Sequence, residues 1–255
     1  MASAAPLPAD VRLMNATASV VLLLAVGVLL AAGGAWIARQ PMFVLRAIRL
    51  EGDVARNNAA TVRANAAPRL AGNFFSLNLQ AARDAFEAVP WVRQAVVRRV
   101  WPNRLAVRLE EHHAAAIWQG EEGNDRLVNS FGEVFDANVG DVEDDGLPAF
   151  AGPDGTAAEM LSMYAKLRPV LQHLEQGIDT LHLSGRGSWR VELDGGAEIE
   201  LGRGSEAEVL ARCERFTRTL AQVTAKYRQP LEYADLRHAD GYAVRLRGVT
   251  TKTLN

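Results

Sequence analysis

A long uncharged segment near the N-terminus constrains the fold of this chain more than any other feature. No Asp, Glu, Lys or Arg occurs from Leu13 to Ala38, and the densest apolar part runs from Val20 to Ala32. About 20 apolar residues in a helix span the hydrocarbon core of a bilayer, and Trp36 lies where an amphipathic ring suits the headgroup region. The run lacks the polar face of a soluble amphipathic helix. It predicts a transmembrane helix over residues 16–38, preceded by a short tail, residues 1–15.

A cleaved signal peptide is the alternative interpretation of this segment. Signal peptides carry an apolar region of about 7–15 residues, which is shorter than the run here, although Ala31 to Ala35 contains the small residues typical of a cleavage site. The flanking charges leave the orientation open. Arg12 precedes the segment and Arg39, Arg46 and Arg49 follow it, but the positive-inside rule is weak for large translocated domains. We therefore expect an uncleaved anchor, with its topology undecided by charge alone.

Composition excludes several classes of function for the rest of the chain. Of 255 residues, 49% are hydrophobic and 23% are charged, which is ordinary for a globular protein and excludes disorder along the whole length. The net charge of −2 disfavours nucleic-acid binding, which usually needs a basic excess. The single cysteine, Cys213, excludes an internal disulfide framework and a zinc site built mainly on thiolates.

The first module after the anchor is predicted from its hydrophobic periodicity. Period-two alternation indicates strands, and apolar residues three and four apart indicate helices. In chain order the elements are a strand, two helices and two strands, over residues 43–51, 57–70, 79–88, 91–101 and 104–111. Asn78 is suited to cap the second helix, because its side chain accepts hydrogen bonds from unpaired backbone amides. This order predicts a small α+β domain over residues 43–112, with two helices on one face of a three-stranded sheet.

The second module, residues 113–255, is larger and combines strands with two helices. The predicted strands, mostly joined as antiparallel hairpins, cover residues 126–129, 132–135, 178–183, 188–193, 197–201, 232–237 and 241–247. The helices are predicted over residues 159–176 and 205–226, the second opened by a capping box of Ser205 and Glu208. The fold class is therefore α+β: a single N-terminal transmembrane helix, a β-α-α-β-β domain, and a mixed antiparallel-sheet domain with two helices.

A search for chemistry in the sequence finds no convincing catalytic, cofactor or metal site. His112 and His113 are neighbours at a strand end, where side chains point to opposite faces and chelate one ion poorly. The segment from Leu201 to Ser205 is glycine-containing, but it lacks the third glycine of a dinucleotide fingerprint and the lysine of a P-loop. Cys213 lies on the apolar stripe of its helix and is interpreted as a core residue. We expect a protein without enzymatic activity, cofactor or metal.

One run of residues carries a resemblance to a known family. PWVRQAVVRRVWPNRL, from Pro90 to Leu105, resembles a signature of the FtsQ/DivIB family of bacterial cell-division proteins. Further motifs resemble the same family in the same order: Glu111-His112 with Ala115, Ala116 and Trp118; Leu127 to Phe135; Leu147-Pro148 with Gly152-Pro153; Trp189 and Leu201-Gly202-Arg203; and Asp235-Leu236-Arg237 with Gly241 to Val244. The resemblance covers nearly the whole chain, and the series is more specific than any one motif.

The resemblance implies a location, a domain organisation and a function. Residues 1–15 would lie in the cytoplasm, the anchor would cross the inner membrane once in type II orientation, and the rest would be periplasmic at the division septum. Residues 43–112 would form a POTRA domain, and residues 113–255 the family's β domain. The family has no known catalytic activity and links division proteins. It implies FtsB and FtsL as partners of the β domain, and FtsK, FtsW and FtsI as partners of the POTRA or transmembrane region.

The binding site can be argued from the last hairpin. A terminal strand often lies at a sheet edge, where unpaired amide and carbonyl groups allow a partner to add a strand. We expect Gly241 to Arg247 to form this edge, with Tyr242 as an aromatic anchor and Arg237 pairing with a partner carboxylate. His238 stands where the family usually has Tyr, which offers a larger contact area. The candidate partner-binding residues are Arg237, His238, Gly241, Tyr242, Val244 and Arg245.

Two other classes of protein remain as alternatives. A POTRA-bearing envelope assembly or secretion factor would need a barrel of alternating strands of about ten residues each, and the two long helices predicted in the second module argue against this. A membrane-anchored periplasmic enzyme would need a pocket with convergent polar groups, and the sequence offers no such group of residues.

Overall fold

A computed structural model describes residues 9–52, 56, 59–66, 68, 70, 72–120, 123–227, 229–238 and 241–248 of the chain. Parts of the predictions lie outside the described residues: residues 1–8 of the N-terminal tail, several residues of the helix predicted over 57–70, the turn at Ala239-Asp240, and residues 249–255. The contacts divide the chain into two compact units, Met1–Glu111 and His112–Asn255.

The first helix of the first unit is long and apolar. Helix α1 spans Ala9–Ala38, 30 residues, or about 45 Å at about 1.5 Å per residue. Its span Asp10–Ala38 has a mean hydropathy of 2.5 in its most apolar window, and none of that window is buried by the protein. A helix of this length and composition can cross a membrane, where lipid covers the apolar side chains. The structure thus contains the predicted candidate for a membrane span.

The rest of the first unit has the predicted β-α-α-β-β order. Its elements are β1 Ala47–Gly52, α2 Ala59–Ala66, α3 Leu79–Glu87, β2 Val92–Val100 and β3 Arg104–Glu111. The strand order is β1-β3-β2, in which β1 runs parallel to β3 and β2 runs antiparallel to it. The first strand starts later than predicted, because Pro41–Phe43 forms a short 3-10 turn.

The core of this unit lies between the helices and the sheet. Val62 of α2 and Phe86 of α3 are fully buried against Leu105 and Val107 of β3. The Asn78 side chain accepts hydrogen bonds from the amides of residues 80 and 81, so the predicted N-cap of α3 is confirmed. Two helices therefore cover one face of the three-stranded sheet.

The second unit is built on a nine-stranded mixed sheet. Its elements are β4 Ala114–Trp118, β5 Arg126–Asn129, β6 Val134–Phe135, β7 Ala149–Ala151, α4 Ala157–Leu171, β8 Ile178–Leu183, β9 Trp189–Leu193, β10 Glu198–Gly202, α5 Glu206–Tyr227, β11 Leu231–Asp235 and β12 Ala243–Leu246. The strand order is β12-β11-β10-β9-β8-β7-β4-β5-β6. Three neighbouring pairs, β10 with β11, β4 with β7 and β7 with β8, are parallel.

Both long helices cover the same face of this sheet. Trp189, Val191 and Leu193 of β9 are buried, whereas Arg190 and Glu192 between them are exposed. Helices α4 and α5 contact each other and share one core cluster with these apolar strand residues. The predicted α+β class, with a mixed sheet and two helices in the second unit, is confirmed.

Candidate partner-binding edge of the second unit

Strand β12 lies at one end of the nine-stranded sheet. It pairs antiparallel with β11, with Ala234 opposite Val244 and Asp235 opposite Ala243. Among the described residues, no strand pairs with its other side. Gly241 and Tyr242, which were predicted as part of this strand, precede it in the structure.

The outward backbone groups of β12 can be identified from its hydrogen bonds. The amide of Arg247 donates to the carbonyl oxygen of Pro230 at 3.0 Å. The irregular pairing next to Leu231 leaves one extra residue on β11 and none on β12. The backbone of β12 therefore continues through this point without a bulge. Backbone groups alternate in direction along a regular strand. The amides and carbonyls of Val244 and Leu246 therefore point away from β11, towards the open side of the sheet.

The Tyr242 side chain already packs against its own domain. Its ring lies edge-on to Phe216 of α5, with 5.1 Å between the ring centroids. Its hydroxyl lies 2.6 Å from Oγ1 of Thr219, on the same helix. Tyr242 is half-buried as a result, so only part of its surface is available to a partner.

The Arg237 side chain forms an ion pair with Asp235, the last residue of β11. Its Nε and one terminal nitrogen donate to Asp235 Oδ1 and Oδ2 at 2.8 and 2.6 Å. The amide of Arg237 also donates to Asp235 Oδ1, at 3.0 Å. These bonds favour the ionised carboxylate, and the side-chain bond from Arg237 is the largest cause that lowers the pKa of Asp235 to about 2.

The ion pair of Arg237 with Asp235 predicts how the pKa of Asp235 responds to a substitution. The pKa of Asp235 falls from an ordinary value of 3.8 to about 2 in the folded protein, so its stabilising effect is complete above about pH 4 and is lost as the pH falls through 2. Replacing Arg237 by Gln should raise the pKa of Asp235 towards its ordinary value. Carbon NMR of the labelled Asp235 carboxyl group measures this pKa. Arg186→Gln, in the turn between β8 and β9, is the control, and a low pKa of Asp235 retained in Arg237→Gln would contradict the assignment.

The four remaining predicted residues differ in how exposed they are. His238 and Gly241 are exposed, and Val244 is half-buried with its side chain against the core. The Arg245 guanidinium lies 3.6 Å from Glu232 and 5.6 Å from the ring centroid of Tyr233. We call the six predicted residues, Arg237, His238, Gly241, Tyr242, Val244 and Arg245, the edge surface. Val244 and Arg245 lie in β12, and the other four lie between the end of β11 and the start of β12.

The described residues give little support to catalysis elsewhere. No group of three or more His, Cys, Asp or Glu side chains in the described part of the chain could hold a metal ion. His112 stacks on Phe135 at 4.0 Å between ring centroids, and its Nδ1 lies 2.8 Å from the Asn129 side-chain amide. Cys213 is fully buried, and burial raises the pKa of its thiol to about 12. A thiol in this state is a poor nucleophile.

Comparison with known families covers both units. A family model described as the FtsQ-type POTRA domain matches residues 43–112. A second family model, described as the C-terminal part of the cell-division protein FtsQ/DivIB, matches residues 116–237. The two matches follow each other along the chain, as the motifs in the sequence do.

Individual relatives resemble the chain over nearly its full length. The cell-division protein FtsQ of Thiomonas arsenitoxydans is 40% identical over 259 aligned residues, covering 100% of this chain and 95% of the relative. FtsQ of Burkholderia pseudomallei is 43% identical, with 94% of each chain covered. FtsQ of Neisseria meningitidis serogroup B is 32% identical, covering 88% of this chain and 92% of the relative. The chain therefore belongs to the FtsQ/DivIB family of cell-division proteins.

Proposed function

We propose that this chain is a non-catalytic scaffold of the bacterial divisome. Helix α1 anchors it once in the inner membrane, with residues 1–15 in the cytoplasm and the POTRA and β domains, residues 43–112 and 113–255, in the periplasm at the septum. Membership of the FtsQ/DivIB family supports a role in division. The length and hydropathy of α1 support the anchor.

The β domain recruits FtsB and FtsL through its terminal strand. The observation that carries this proposal is the position of β12 at the end of the sheet order. A partner segment that pairs with β12 gains hydrogen bonds to the outward backbone groups of Val244 and Leu246, and side chains along the edge surface select the partner. The partner thereby links this chain to septal peptidoglycan synthesis.

Arg245 and Arg237 have different roles in this proposal. Arg245 is exposed, and its 3.6 Å distance from Glu232 leaves it able to reorient towards a partner carboxylate. The bidentate pairing of Arg237 with Asp235 fixes the end of β11, and Arg237 meets the partner as part of this ion pair. FtsK, FtsW and FtsI are proposed to contact the POTRA domain or α1, which belong to the first unit.

Binding of an FtsB periplasmic peptide tests the edge surface directly. Arg237→Glu and Tyr242→Ala should each weaken binding by about ten-fold or more, because truncating an anchor at an interface centre costs about 2 kcal/mol. Titration calorimetry with the full chain in detergent measures the affinity. Unchanged affinity in both variants would remove this site.

Two control variants separate binding from folding. Tyr242→Phe keeps the ring against Phe216 and removes only the hydroxyl near Thr219, so it should bind more tightly than Tyr242→Ala. Arg186→Glu makes the same charge change in the turn between β8 and β9, at least three strands from β12, and should leave affinity unchanged.

Depletion of the protein in cells distinguishes this function from the alternative of an envelope assembly or secretion factor, which the POTRA match alone would also permit. A division scaffold predicts filaments without septa. An assembly factor predicts intact septa with defects in the outer membrane, and that result would overturn the proposed function.

A further inference from the structure

A turn of the first unit is held directly at the end of α1. The Asn73 side-chain amide donates to the carbonyl oxygen of Ala38, the last residue of α1, at 2.7 Å. Asn73 Oδ1 accepts the amides of Phe75 and Ser76, each at 3.0 Å, which closes the turn. The end of the apolar helix and this turn are therefore neighbours.

A second turn is held against the segment that follows α1. Asn103, in the turn between β2 and β3, donates from its side chain to the carbonyl oxygen of Met42 at 3.3 Å. Its own carbonyl oxygen accepts the amide of Arg46 at 3.0 Å. Trp101 lies two residues before Asn103 in the same turn.

Large apolar side chains are exposed at these contacts. Met42 is 52% exposed, Val44 50%, Phe75 52% and Trp101 71%. We call these four residues the rim. The Phe75 ring is fixed in its exposed position by Phe43, at 4.8 Å between ring centroids. Exposed apolar side chains are ordinary when scattered, but a group of them marks an interaction surface.

The position of the rim relative to the membrane follows from α1. The bilayer is about 30 Å thick in its hydrocarbon core and about 40–45 Å with its headgroups, so each headgroup layer is several ångströms deep. Ala38 ends the uncharged segment and Arg39 follows it, which places Ala38 at the boundary of the core. Asn73 is in direct contact with Ala38, so Phe75, only two residues further along the chain, lies close to this boundary.

We propose that the rim inserts into the headgroup layer of the leaflet in which α1 ends, and docks the first unit on the phospholipid surface. The occupant is lipid because the rim is continuous with the span itself, and because aromatic rings are favoured at this depth. Arg39 and Arg46, in the same segment, supply cations for lipid phosphates. The inference rests on α1 crossing the membrane, which is part of the proposed function.

Spin labels on the full chain in nanodiscs of phosphatidylethanolamine and phosphatidylglycerol test the docking. Single cysteines replace Phe75 or Trp101 in a Cys213→Ala background, and collision rates are measured with oxygen, which concentrates in lipid, and with a water-soluble nickel chelate. At both positions we expect the ratio of oxygen to nickel collisions to exceed the ratio at Val96→Cys by about five-fold. Val96 is the matched control, because it is 55% exposed on β2 and lies about 16 Å from Trp101 at about 3.3 Å per residue.

A label at Leu29→Cys, within α1, separates the two possible failures. A lipid-like ratio at Leu29 with water-like ratios at Phe75 and Trp101 would overturn the docking and leave the membrane span intact, as expected if the rim instead binds a protein partner. A water-like ratio at Leu29 would overturn the span and the docking together.

A second measurement keeps the native ring in place. Lipids brominated near the headgroup should quench a larger fraction of the tryptophan fluorescence in the unmodified chain than in Trp101→Phe, because only the unmodified chain has a tryptophan at position 101. Trp36 of α1 is present in both proteins, so its quenching does not explain a difference between them. Equal quenching in the two proteins would contradict insertion of Trp101.

Discussion

Replacing Val244 with proline should weaken binding of the FtsB periplasmic peptide by about ten-fold or more, whereas Val244→Ala should change it by less than about three-fold. The Val244 amide points to the open side of β12, as the alternation from the Arg247 hydrogen bond indicates. Proline removes this donor and leaves a partner carbonyl unpaired, which costs about 1–3 kcal/mol; about 1.4 kcal/mol corresponds to ten-fold in affinity. Alanine trims the same side chain but keeps the amide.

The contrast between the two variants distinguishes two modes of binding. Proline is tolerated in edge strands when its nitrogen faces away from the sheet, so Val244→Pro should keep the fold, which circular dichroism and the melting temperature check. Titration calorimetry then gives both affinities. If alanine and proline weaken binding equally, the partner recognises the side chain rather than the backbone edge, and strand addition at β12 is wrong.

Local interactions explain which parts of the fold could be predicted from the sequence. The cap of α3 by Asn78 and the capping box of α5 depend on residues only two or three positions apart. In that box the Ser205 amide donates to Glu208 Oε2 at 2.7 Å, and this bond is the largest cause that lowers the pKa of Glu208. The hairpin of β2 and β3 likewise pairs adjacent segments of strong alternation.

Non-local pairing explains what the sequence did not reveal. Strand β7, Ala149–Ala151, has three residues and pairs parallel with both β4 and β8. Three residues carry no measurable periodicity, and nothing local specifies a parallel neighbour. Strand β4, Ala114–Trp118, begins with three alanines and lacks the polar alternation of a half-buried strand. The interior position of these two strands in the sheet depends on residues that are distant along the chain.

Some features of the candidate site could likewise be predicted from the sequence, and others could not. A terminal hairpin suggested an edge strand, and the structure places β12 at the end of the sheet among the described residues. The ion pair of Arg237 with Asp235 joins residues two positions apart, so the motif that contains them could have indicated it. The contact of Tyr242 with Phe216 joins the residue just before β12 to α5, which is distant along the chain, and has no signal in the sequence.

A single added methyl group in the turn between β5 and β6 should cause a large loss of stability. Gly132 has a φ of +79°, and a Cβ atom there would lie 2.5 Å from the Cα atom of Ala158 in α4. Backbone atoms of a helix cannot move aside cheaply, so the methyl group adds overpacking of about 1–3 kcal/mol to a left-handed backbone cost of about 1–2 kcal/mol. We expect Gly132→Ala to lower the free energy of unfolding by about 3 kcal/mol or more.

Gly155 supplies a matched control because its backbone conformation is nearly the same. Its φ is +83°, and nothing lies within 4 Å of the position where its Cβ atom would be. Gly155→Ala should therefore lower the free energy of unfolding only by the cost of the left-handed backbone, about 1–2 kcal/mol. Urea unfolding followed by tryptophan fluorescence measures both values, since Trp118 and Trp189 are buried in this unit. Equal destabilisation by the two substitutions would mean that the turn does not pack against α4 as closely as the structure has it.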